Sequence, residues 1–389
     1  MDKVRFGIVG CGNMGTGHAQ NFLDGKIDNG YISAVCDIDP DRFKFFKEKF
    51  GDSIKYFESA EDMFKSGECD VVIICVPHYD HPRLAILAMD NNLHCIVEKP
   101  AGVYTLQVKE MLERHKSSDK ILGIMFNQRT NPFFKKMREM IANGELGEIK
   151  RTNWIITNWY RTQDYYDSGS WRATWAGEGG GVLYNQAPHN LDLFQWIVGM
   201  MPSKVRAFCH FGKWHDIEVE DDVTCYCEYP NGATGVFITT TADAPGTNRF
   251  EVTGTKGTLI VEYDPDEKQF NLYHRALEVD ERVHCVTGKG FNAPAVKPTV
   301  KIEVEGPNPQ HSGICNNIAN AILGLEDVYA PASDGICGVQ LANAMLLSTW
   351  LNKEIEIPFD DELFYEELKK RIAISKPHEV KNKEVMPQN

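Results

Sequence analysis

Three short segments of the sequence combine residue types that could bind phosphate and move a proton. The first is the turn Gly10-Cys11-Gly12-Asn13-Met14-Gly15, and the second is the triplet Glu98-Lys99-Pro100. The third runs from Glu178 to Asp192 and contains His189. Lysine and histidine side chains can hold or release protons near neutral pH when their surroundings shift them. Together the segments indicate acid–base chemistry beside a phosphate-containing ligand.

The glycine turn follows an apolar stretch, Val4–Val9, and precedes a helical pattern. Glycines let such a turn close tightly and let its backbone approach a pyrophosphate at the positive N-terminus of the helix. Asp37 follows Gly15 by 22 residues, where a carboxylate accepts hydrogen bonds from the adenosine ribose and repels a 2′-phosphate. The pattern predicts a site for NAD, favoured over NADP, formed by Gly10, Gly12, Asn13, Met14, Gly15 and Asp37.

Two further segments come directly after predicted strands, at the edge where open α/β sheets bind ligands. They are Val76-Pro77-His78-Tyr79-Asp80-His81 and Glu98-Lys99-Pro100. A lysine at that edge can supply a proton or polarise a substrate oxygen. His78 and His81 lack further candidate ligands nearby, so no metal site is predicted. The residues predicted to contact the cofactor here are Pro77, His81, Glu98 and Lys99.

The third segment begins with Gly179-Gly180-Gly181, which permits close approach of the backbone to another group. It then enters a helix on which Asn185, His189 and Asp192 lie at i, i+4 and i+7 and are predicted to share one face. A histidine at the start of a helix with polar neighbours on that face is a candidate for proton transfer. The predicted substrate-binding residues of this region are Asn185, His189 and Asp192, together with Lys99.

Four of the seven tryptophans lie between residues 154 and 175. Trp154 is expected to pack in the core of a sheet, whereas Trp159–Trp175 is rich in small polar residues and less suited to burial. Aromatic rings stack on the C–H faces of sugars, which predicts that Trp159 and Tyr160 bind substrate. His311 opens a late predicted helix and either reaches the same pocket or lies at the surface.

Short β-branched stretches alternate with helical patterns up to residue 126, which indicates an α/β domain with a doubly wound parallel sheet. Its predicted strands are Val4–Val9, Tyr31–Cys36, Val71–Val76, His94–Val97 and Ile121–Phe126. The predicted helices are Met14–Leu23, Asp41–Phe50, Pro82–Asn91, Leu106–His115 and, beyond this domain, Pro132–Ala142. Residues 1–126 are therefore predicted to form a dinucleotide-binding Rossmann domain.

From Glu148 onward apolar and polar residues alternate, with hairpin turns at Pro230-Asn231-Gly232 and Lys256-Gly257. The predicted strands of this antiparallel or mixed sheet are Glu148–Thr157, Val205–Phe211, Val223–Tyr229, Ala233–Ala242, Phe250–Thr253 and Thr258–Tyr263. Helices are predicted at Ala187–Val198, His311–Leu323 and Gly335–Leu351. Residues 127–374 are predicted to form an α+β domain for substrate binding and oligomerisation, and residues 375–389 a polar tail.

The 389-residue chain is acidic, with 55 Asp and Glu against 41 Lys and Arg and a net charge of −14. Such a surface repels nucleic acid and anionic membranes, so neither is expected as a partner. No apolar stretch approaches the ~20 residues that span a bilayer, and the N-terminus lacks a signal-peptide pattern. The eleven cysteines are expected to be free thiols, and the protein is expected to be cytoplasmic.

These segments, in this order and with Trp171-Arg172 between them, resemble the Gfo/Idh/MocA family of NAD(P)-dependent sugar and polyol oxidoreductases. The resemblance covers residues 3–350 and implies a Rossmann domain followed by an α+β domain with an open, mainly antiparallel sheet. It also implies that Lys99 and His189 are the catalytic pair and that Glu98 and Arg172 lie near the nicotinamide. Inositol-dehydrogenase-like members have an aspartate where this chain has Asn185, whose amide cannot act as a base.

The resemblance implies an NAD-dependent dehydrogenase that oxidises a secondary hydroxyl of a sugar, polyol or glycoside. In that reaction His189 takes the hydroxyl proton and Lys99 stabilises the developing alkoxide. An alternative within the family is an NAD-dependent glycosidase that works through a transient keto-sugar with no net redox change. A cofactor-binding regulator is disfavoured because Lys99 and His189 are both present. A homo-oligomer, either dimer or tetramer, is expected because an open sheet face needs covering.

Overall fold

The computed structural model describes residues 3–376, which form two packed units that are each built on one β-sheet. The strands of the first are β1 (Val4–Val9), β2 (Gly30–Cys36), β3 (Lys55–Phe57), β4 (Val71–Ile74), β5 (His94–Val97) and β6 (Leu122–Ile124). They are all parallel, in the order β3-β2-β1-β4-β5-β6. The connecting helices are α1 (Asn13–Leu23), α2 (Lys44–Phe50), α3 (Ala60–Lys65), α4 (Asp80–Asp90) and α5 (Thr105–Lys116).

This first sheet confirms the predicted Rossmann architecture. Its central strands are buried on both faces, as their continuous apolar sequences require, and every residue of β4 is buried. The strand order reverses direction between β1 and β4, so the loops after these strands diverge and leave a crevice at the carboxyl edge of the sheet. The glycine turn follows β1, and the Pro77 and Lys99 loops follow β4 and β5.

The second sheet is mixed and mainly antiparallel, as expected. Its strands are β7 (Ile149–Ile156), β8 (Lys204–Phe211), β9 (Glu220–Glu228), β10 (Thr234–Thr240), β11 (Asn248–Gly254), β12 (Gly257–Asp264), β13 (Gln269–Ala276), β14 (Val300–Ile302) and β15 (Ile355–Glu356). They are ordered β14-β13-β12-β11-β7-β10-β9-β8-β15, and β7 with β10 is the one parallel pair among the described strands of this second sheet. Both predicted hairpins are present, because β9 pairs with β10 and β11 with β12.

Helices cover one face of the second sheet. They include α6 (Pro132–Ala142), α8 (Pro188–Trp196) and α11 (Ala332–Leu351), and the remaining helices of this part are α7 (Gln163–Asp167), α9 (Glu281–Thr287), α10 (Gln310–Ile322) and α12 (Asp361–Ile372). The alternation of buried and exposed residues along β9 shows that the opposite face is more open to solvent. The Asn131 side chain caps α6 by accepting a hydrogen bond from the Phe133 amide at 3.0 Å.

The two hydrophobic cores do not divide the chain at one point. Ile314 and Ile318 of α10 and Val339 of α11 pack into the core of the first unit. The chain therefore returns to the Rossmann unit long after residue 126, and the division at that residue stays a prediction. Of the predicted tail, residues 377–389 lie outside the described residues, while the Ser375 hydroxyl donates a hydrogen bond to Glu218 at 2.6 Å.

Several elements were not predicted. These are β3, α3, α7, α9, β13, β14, β15 and α12. The strands β14 and β15 have three and two residues, too few to show an alternating pattern, and α9 buries none of its residues, so it has no apolar stripe. Among residues 3–376, no helix is both long enough and apolar enough to pass through a bilayer.

Candidate active site

The glycine turn forms a cradle at the start of α1. Gly10 has φ +95°, and a Cβ there would lie 2.6 Å from the Cys75 carbonyl oxygen, so only glycine fits between β1 and the β4 loop. Gly12 is the N-cap of α1 and provides no side-chain cap, which leaves the first-turn N–H groups without that partner. A Cβ at Gly12 would meet nothing within 4 Å, so open space lies in front of the helix. This arrangement fits a pyrophosphate.

Asp37 lies next to this cradle, immediately after β2. Its carboxylate accepts hydrogen bonds from the backbone amides of Cys11 at 2.7 Å and Asp39 at 2.9 Å. The first bond ties the end of β2 to the glycine turn and fixes the carboxylate at the edge of the crevice. The residues present therefore fit NAD, with the ribose hydroxyls at Asp37.

Glu98 and His18 form a buried ion pair beneath the crevice. The His18 Nε2 lies 2.7 Å from a Glu98 carboxylate oxygen, and both side chains are almost fully buried. Burial alone would raise the pKa of Glu98, but the hydrogen bond and charge of His18 lower it to about 2. Burial opposes protonation of His18, but its neighbours Cys75, Cys315 and Glu98 raise its pKa well above the ordinary value. The pair is therefore ionised, and it fixes the backbone just before Lys99.

Lys99 reaches from the first unit to the segment that precedes α8. Its Nζ donates a hydrogen bond to the Asn185 carbonyl oxygen at 2.8 Å. Burial lowers the pKa of Lys99, and Arg172 and Arg161 lower it further, although Glu98 and Glu178 partly oppose this. The ammonium group is thus positioned, close to other cations, at the junction of the two units.

His189 lies in the first turn of α8, close enough to Lys99 for their charges to interact. Burial and the charges of Lys99 and His311 lower the pKa of His189 well below its ordinary value. Its Nδ1 is buried and has no hydrogen-bond partner within residues 3–376. A neutral imidazole beside a cationic lysine can accept a proton from a hydroxyl group that is bound between them.

Asn185 is held in one orientation by a network of side chains. Its amide nitrogen donates to Glu178, whose other carboxylate oxygen accepts from the Ala173 amide at 2.6 Å. The Tyr165 hydroxyl donates to the Asn185 amide oxygen at 3.2 Å and accepts from Arg172 Nη1 at 2.9 Å. Sequence reasoning missed Glu178 and Tyr165 as site residues, although Glu178 stands directly before the three glycines.

The three-glycine segment packs tightly on β9. A Cβ at Gly181 would lie 2.0 Å from the Glu220 carbonyl oxygen, so this approach requires glycine. The buried Glu220 carboxylate accepts hydrogen bonds from the amides of Gly181 at 2.8 Å and Leu183 at 3.1 Å. Burial raises the pKa of Glu220 to about 8. These contacts fix the turn that presents Asn185.

Comparisons with known proteins agree with this geometry. Residues 4–126 match the model of the oxidoreductase family with an NAD-binding Rossmann fold, and residues 134–260 match the GFO/IDH/MocA C-terminal domain. The chain belongs to the Gfo/Idh/MocA oxidoreductase family. This family member is an NAD-dependent oxidoreductase.

Two curated relatives and two solved structures illustrate the similarity. The myo-inositol 2-dehydrogenase of Thermotoga maritima is 27% identical, over 67% of this chain and 75% of that protein, and the rhizopine catabolism protein MocA of Rhizobium meliloti is 28% identical, over 74% and 88%. The WlbA dehydrogenase of Bordetella pertussis, solved with NADH and UDP-GlcNAcA, has a TM-score of 0.76 at 24% identity, covering 92% of this chain and all of that chain (100%). A levoglucosan dehydrogenase solved with NADH and L-sorbose has a TM-score of 0.76 at 19% identity, with the same coverage of 92% and 100%.

One prediction about the third segment is wrong. Helix α8 begins at Pro188, so Asn185 lies in the preceding turn and does not share a helix face with His189. Proline is well suited to the first helical position and restricts the residue before it, which explains where the helix starts. Asp192 is on the helix but is buried in a bidentate ion pair with Arg129, at 2.6 and 2.8 Å. Both of its carboxylate oxygens accept hydrogen bonds from Arg129, and substrate binding by Asp192 stays a prediction.

The predicted cofactor residues of the β4 loop have different environments. Pro77 is exposed at the crevice edge. His81 is buried, and its ring nitrogens lie 2.7 Å from the Pro100 carbonyl oxygen and 2.8 Å from that of Val76. His81 therefore connects the β4 and β5 loops and has no nitrogen left for a cofactor. Its contact with NAD, like that of Pro77, stays a prediction.

The aromatic segment divides into core and site residues. Trp154 is fully buried, as expected, but Trp175 is also buried (6% exposed) and packs on Trp350. That position corrects the expectation that the aromatic rings of Trp159–Trp175 are less suited to burial. Trp159 is half-buried with Arg161 over its ring at 5.8 Å, whereas Tyr160 is 51% exposed. Substrate binding by Trp159 and Tyr160 stays a prediction.

His311 reaches the inner side of the site. Its ring centroid lies 5.4 Å from that of His18, and burial, together with the charges of His18 and Lys99, lowers its pKa to about 4. His18, Cys75 and Glu98 place ligand atoms within 4.8 Å of one another, a spacing that could hold a metal ion. His18 and Glu98 already form a hydrogen bond with each other. That the enzyme uses no metal stays a prediction from the sequence.

Proposed function

We propose that this enzyme oxidises a secondary hydroxyl of a sugar, polyol or glycoside. The observation that carries the proposal is the contact of Lys99 Nζ with the Asn185 carbonyl oxygen, which brings the lysine of the first unit beside His189 of the second. A positioned cation and a neutral base, next to a cradle that fits a dinucleotide, are the groups needed to remove both hydrogens of an alcohol. The relatives named above act on polyhydroxylated substrates of this kind.

Different residues of the chain bind the cofactor and transfer the proton. The glycine turn and Asp37 hold NAD, which accepts a hydride from the alcohol carbon when bound. His189 is the group that accepts the hydroxyl proton, because burial and the nearby cations keep it neutral. Lys99 donates a hydrogen bond to the same oxygen and stabilises its developing negative charge. The His18–Glu98 ion pair positions the backbone of Lys99.

A substrate panel tests the proposal. The purified enzyme is incubated with NAD⁺ and with inositols, aldoses, sugar acids and aryl glycosides, and NADH is followed at about 340 nm while products are identified by mass spectrometry. The expected result is NADH together with a product that has lost two hydrogen atoms. Release of an aglycone without net NADH would favour the redox-neutral glycosidase instead. The absence of both reactions would contradict the proposal.

A further inference from the structure

Two arginines next to the proposed reaction centre have unused hydrogen-bonding capacity. Arg161 and Arg172 are half-buried, and neither forms a salt bridge with a carboxylate among residues 3–376. Each guanidinium carries five N–H donors. Within the described residues Arg161 Nη1 donates to the Tyr160 carbonyl oxygen at 2.9 Å, and Arg172 Nη1 donates to the Tyr165 hydroxyl at 2.9 Å. The Nε of Arg161 is buried and has no partner there.

Two other arginines of this chain, Arg129 and Arg206, make several hydrogen bonds each. Arg129 is buried and pairs with both Asp192 and Asp334. Arg206 donates to the side chain of Asn352 and to the carbonyl oxygens of Ser348 and Lys353. Burying a cation without such partners costs free energy, and Arg161 and Arg172 differ from these two because each makes fewer hydrogen bonds within residues 3–376.

The two guanidinium groups lie around one tyrosine that points to the reaction centre. Their Cζ atoms are 5.0 Å and 4.7 Å from the Tyr165 ring centroid, for Arg161 and Arg172 respectively. The Tyr165 hydroxyl contacts Asn185, whose carbonyl oxygen holds Lys99. Both arginines therefore lie within one or two side chains of the lysine.

The local charge is positive although the whole protein is strongly negative. Lys99, Arg161 and Arg172 contribute three cations, while the charge of Glu98 is balanced by His18. Glu178 is the acidic residue that contacts the Asn185 network, and its oxygens accept from an amide side chain and a backbone amide. Burial raises the pKa of Glu178, although the charges of Arg172 and Lys99 lower it, so Glu178 offsets one of the three cations. The described side chains around Lys99 thus carry an excess of positive charge.

We propose that Arg161 and Arg172 bind an acidic group of the substrate, so that the preferred substrate is a sugar acid or sugar phosphate and not a neutral sugar. Arginine forms two parallel hydrogen bonds with a carboxylate or phosphoryl group, which suits both sources of negative charge. This inference rests on the proposed function, since it assigns the substrate class of the same site. The Arg161 Cζ lies over the rings of Trp159 and Tyr165, at 5.8 Å and 5.0 Å from their centroids, and these contacts position the guanidinium group.

The test compares ligands that carry an acidic group with neutral counterparts. D-Glucuronate and D-galacturonate are compared with their methyl esters, and glucose 6-phosphate with glucose. Binding to the NADH-loaded enzyme is measured by tryptophan fluorescence, and kcat/KM is measured wherever turnover is detected. The variants are Arg161→Met, which removes the charge, and Arg161→Lys, which retains charge without the planar fork. Arg249→Met is the control, because Arg249 pairs with Glu251 and Glu262 on the second sheet.

The wild-type enzyme should bind at least one acidic ligand about 10- to 100-fold more tightly than its neutral counterpart. Arg161→Met should remove most of that difference, Arg161→Lys part of it, and Arg249→Met none. A preference for the uronates or for the phosphate identifies the source of the charge. Equal binding of charged and neutral ligands, or loss of NADH binding in Arg161→Met, would overturn the inference. If the inference fails but neutral sugars are oxidised, the proposed function stands and only the assignment of an acidic substrate is lost.

Discussion

His189 and Asp192 lie three residues apart on helix α8 but have opposite surroundings. Asp192 faces Arg129, forms two short hydrogen bonds with it and is fully buried. His189 faces Lys99 and is kept neutral by burial and nearby positive charge, with one ring nitrogen unpartnered among the described residues. The paired group supports the fold, whereas the unpartnered group is available to a ligand. The comparison shows that the hydrogen-bond partners of a polar residue, and not its spacing along a helix, distinguish a structural role from a functional one.

The largest expected effect is on stability, through the ion pair between Asp192 of α8 and Arg129. Asp192→Ala leaves the buried Arg129 guanidinium without its bidentate partner, so the free energy of unfolding should fall by about 3–5 kcal/mol. Urea unfolding measures this, with Asp334→Ala as a milder variant because Asp334 is 34% exposed. Turnover per folded molecule should be largely unchanged. A stable Asp192→Ala enzyme with impaired substrate binding would restore Asp192 to the site.

Three further variants distinguish core residues from site residues in the aromatic segment. Trp175→Ala removes a buried ring that packs on Trp350 and should cost about 3–5 kcal/mol of stability. Trp159→Ala and Tyr160→Ala should lower the melting temperature little and raise the apparent KM. Melting temperature and KM are measured on all three. Loss of stability with an unchanged KM in Trp159→Ala would place that ring in the core.

Removing either member of the catalytic pair should reduce turnover without affecting the fold. Lys99→Ala and His189→Ala are each expected to lower kcat by about 100-fold or more, the scale of a lost acid–base group. The affinity for NAD⁺, measured by calorimetry, should remain close to that of the wild type. Near-normal turnover in either variant would show that its residue has another role.

A smaller effect is expected at the cofactor cradle, on the choice between NAD⁺ and NADP⁺. Asp37→Ala removes the carboxylate at the end of β2, so NAD⁺ should bind about 10-fold more weakly and the preference over NADP⁺ should narrow. Asp41→Ala, a nearby exposed aspartate, is the matched control. Titration of each protein with both nucleotides is the measurement. Tighter binding of NADP⁺ than NAD⁺ by the wild type would refute the assignment of Asp37.

The smallest expected effect is on the pH dependence of kcat/KM. The pKa of His189 lies well below 6.5, so proton acceptance should persist as the pH falls through 6.5 and be lost only at lower pH. Burial lowers the pKa of Lys99 below 10.5, so its positive charge should be lost before the pH rises to that value. A pH profile with an acid limb at or above 6.5 would contradict the neutral-histidine assignment.

Local sequence patterns predicted the parts of the site that depend on one segment. The glycine turn and Asp37 were recognised because strand, turn and helix follow each other directly along the chain. Helix α12 was missed although its signals are present, since Asp360 caps it and Phe364 and Leu368 are spaced by four residues. The strands of the first sheet were found because burial on both faces gives continuous apolar stretches.

Interactions between distant segments could not be predicted in the same way. Nothing near Asp192 in sequence shows that Arg129, 63 residues earlier, satisfies its carboxylate. The network around Asn185 joins Tyr165 of α7 with Arg172 and Glu178 of the segment that follows it. The periodicity of polar residues predicts which of them could share a face, but not whether the opposite surface carries a partner. Tertiary packing decides that question.

The most direct test of the central claim is a single-turnover measurement with the best substrate of the panel. Enzyme saturated with NAD⁺ is mixed with less than one equivalent of substrate, and NADH absorbance and the product are quantified together. The account predicts equal amounts of NADH and ketone in the wild type, formed far more slowly by His189→Ala than by the Arg249→Met control. Substrate conversion that yields no NADH, or that proceeds equally fast without His189, would contradict it.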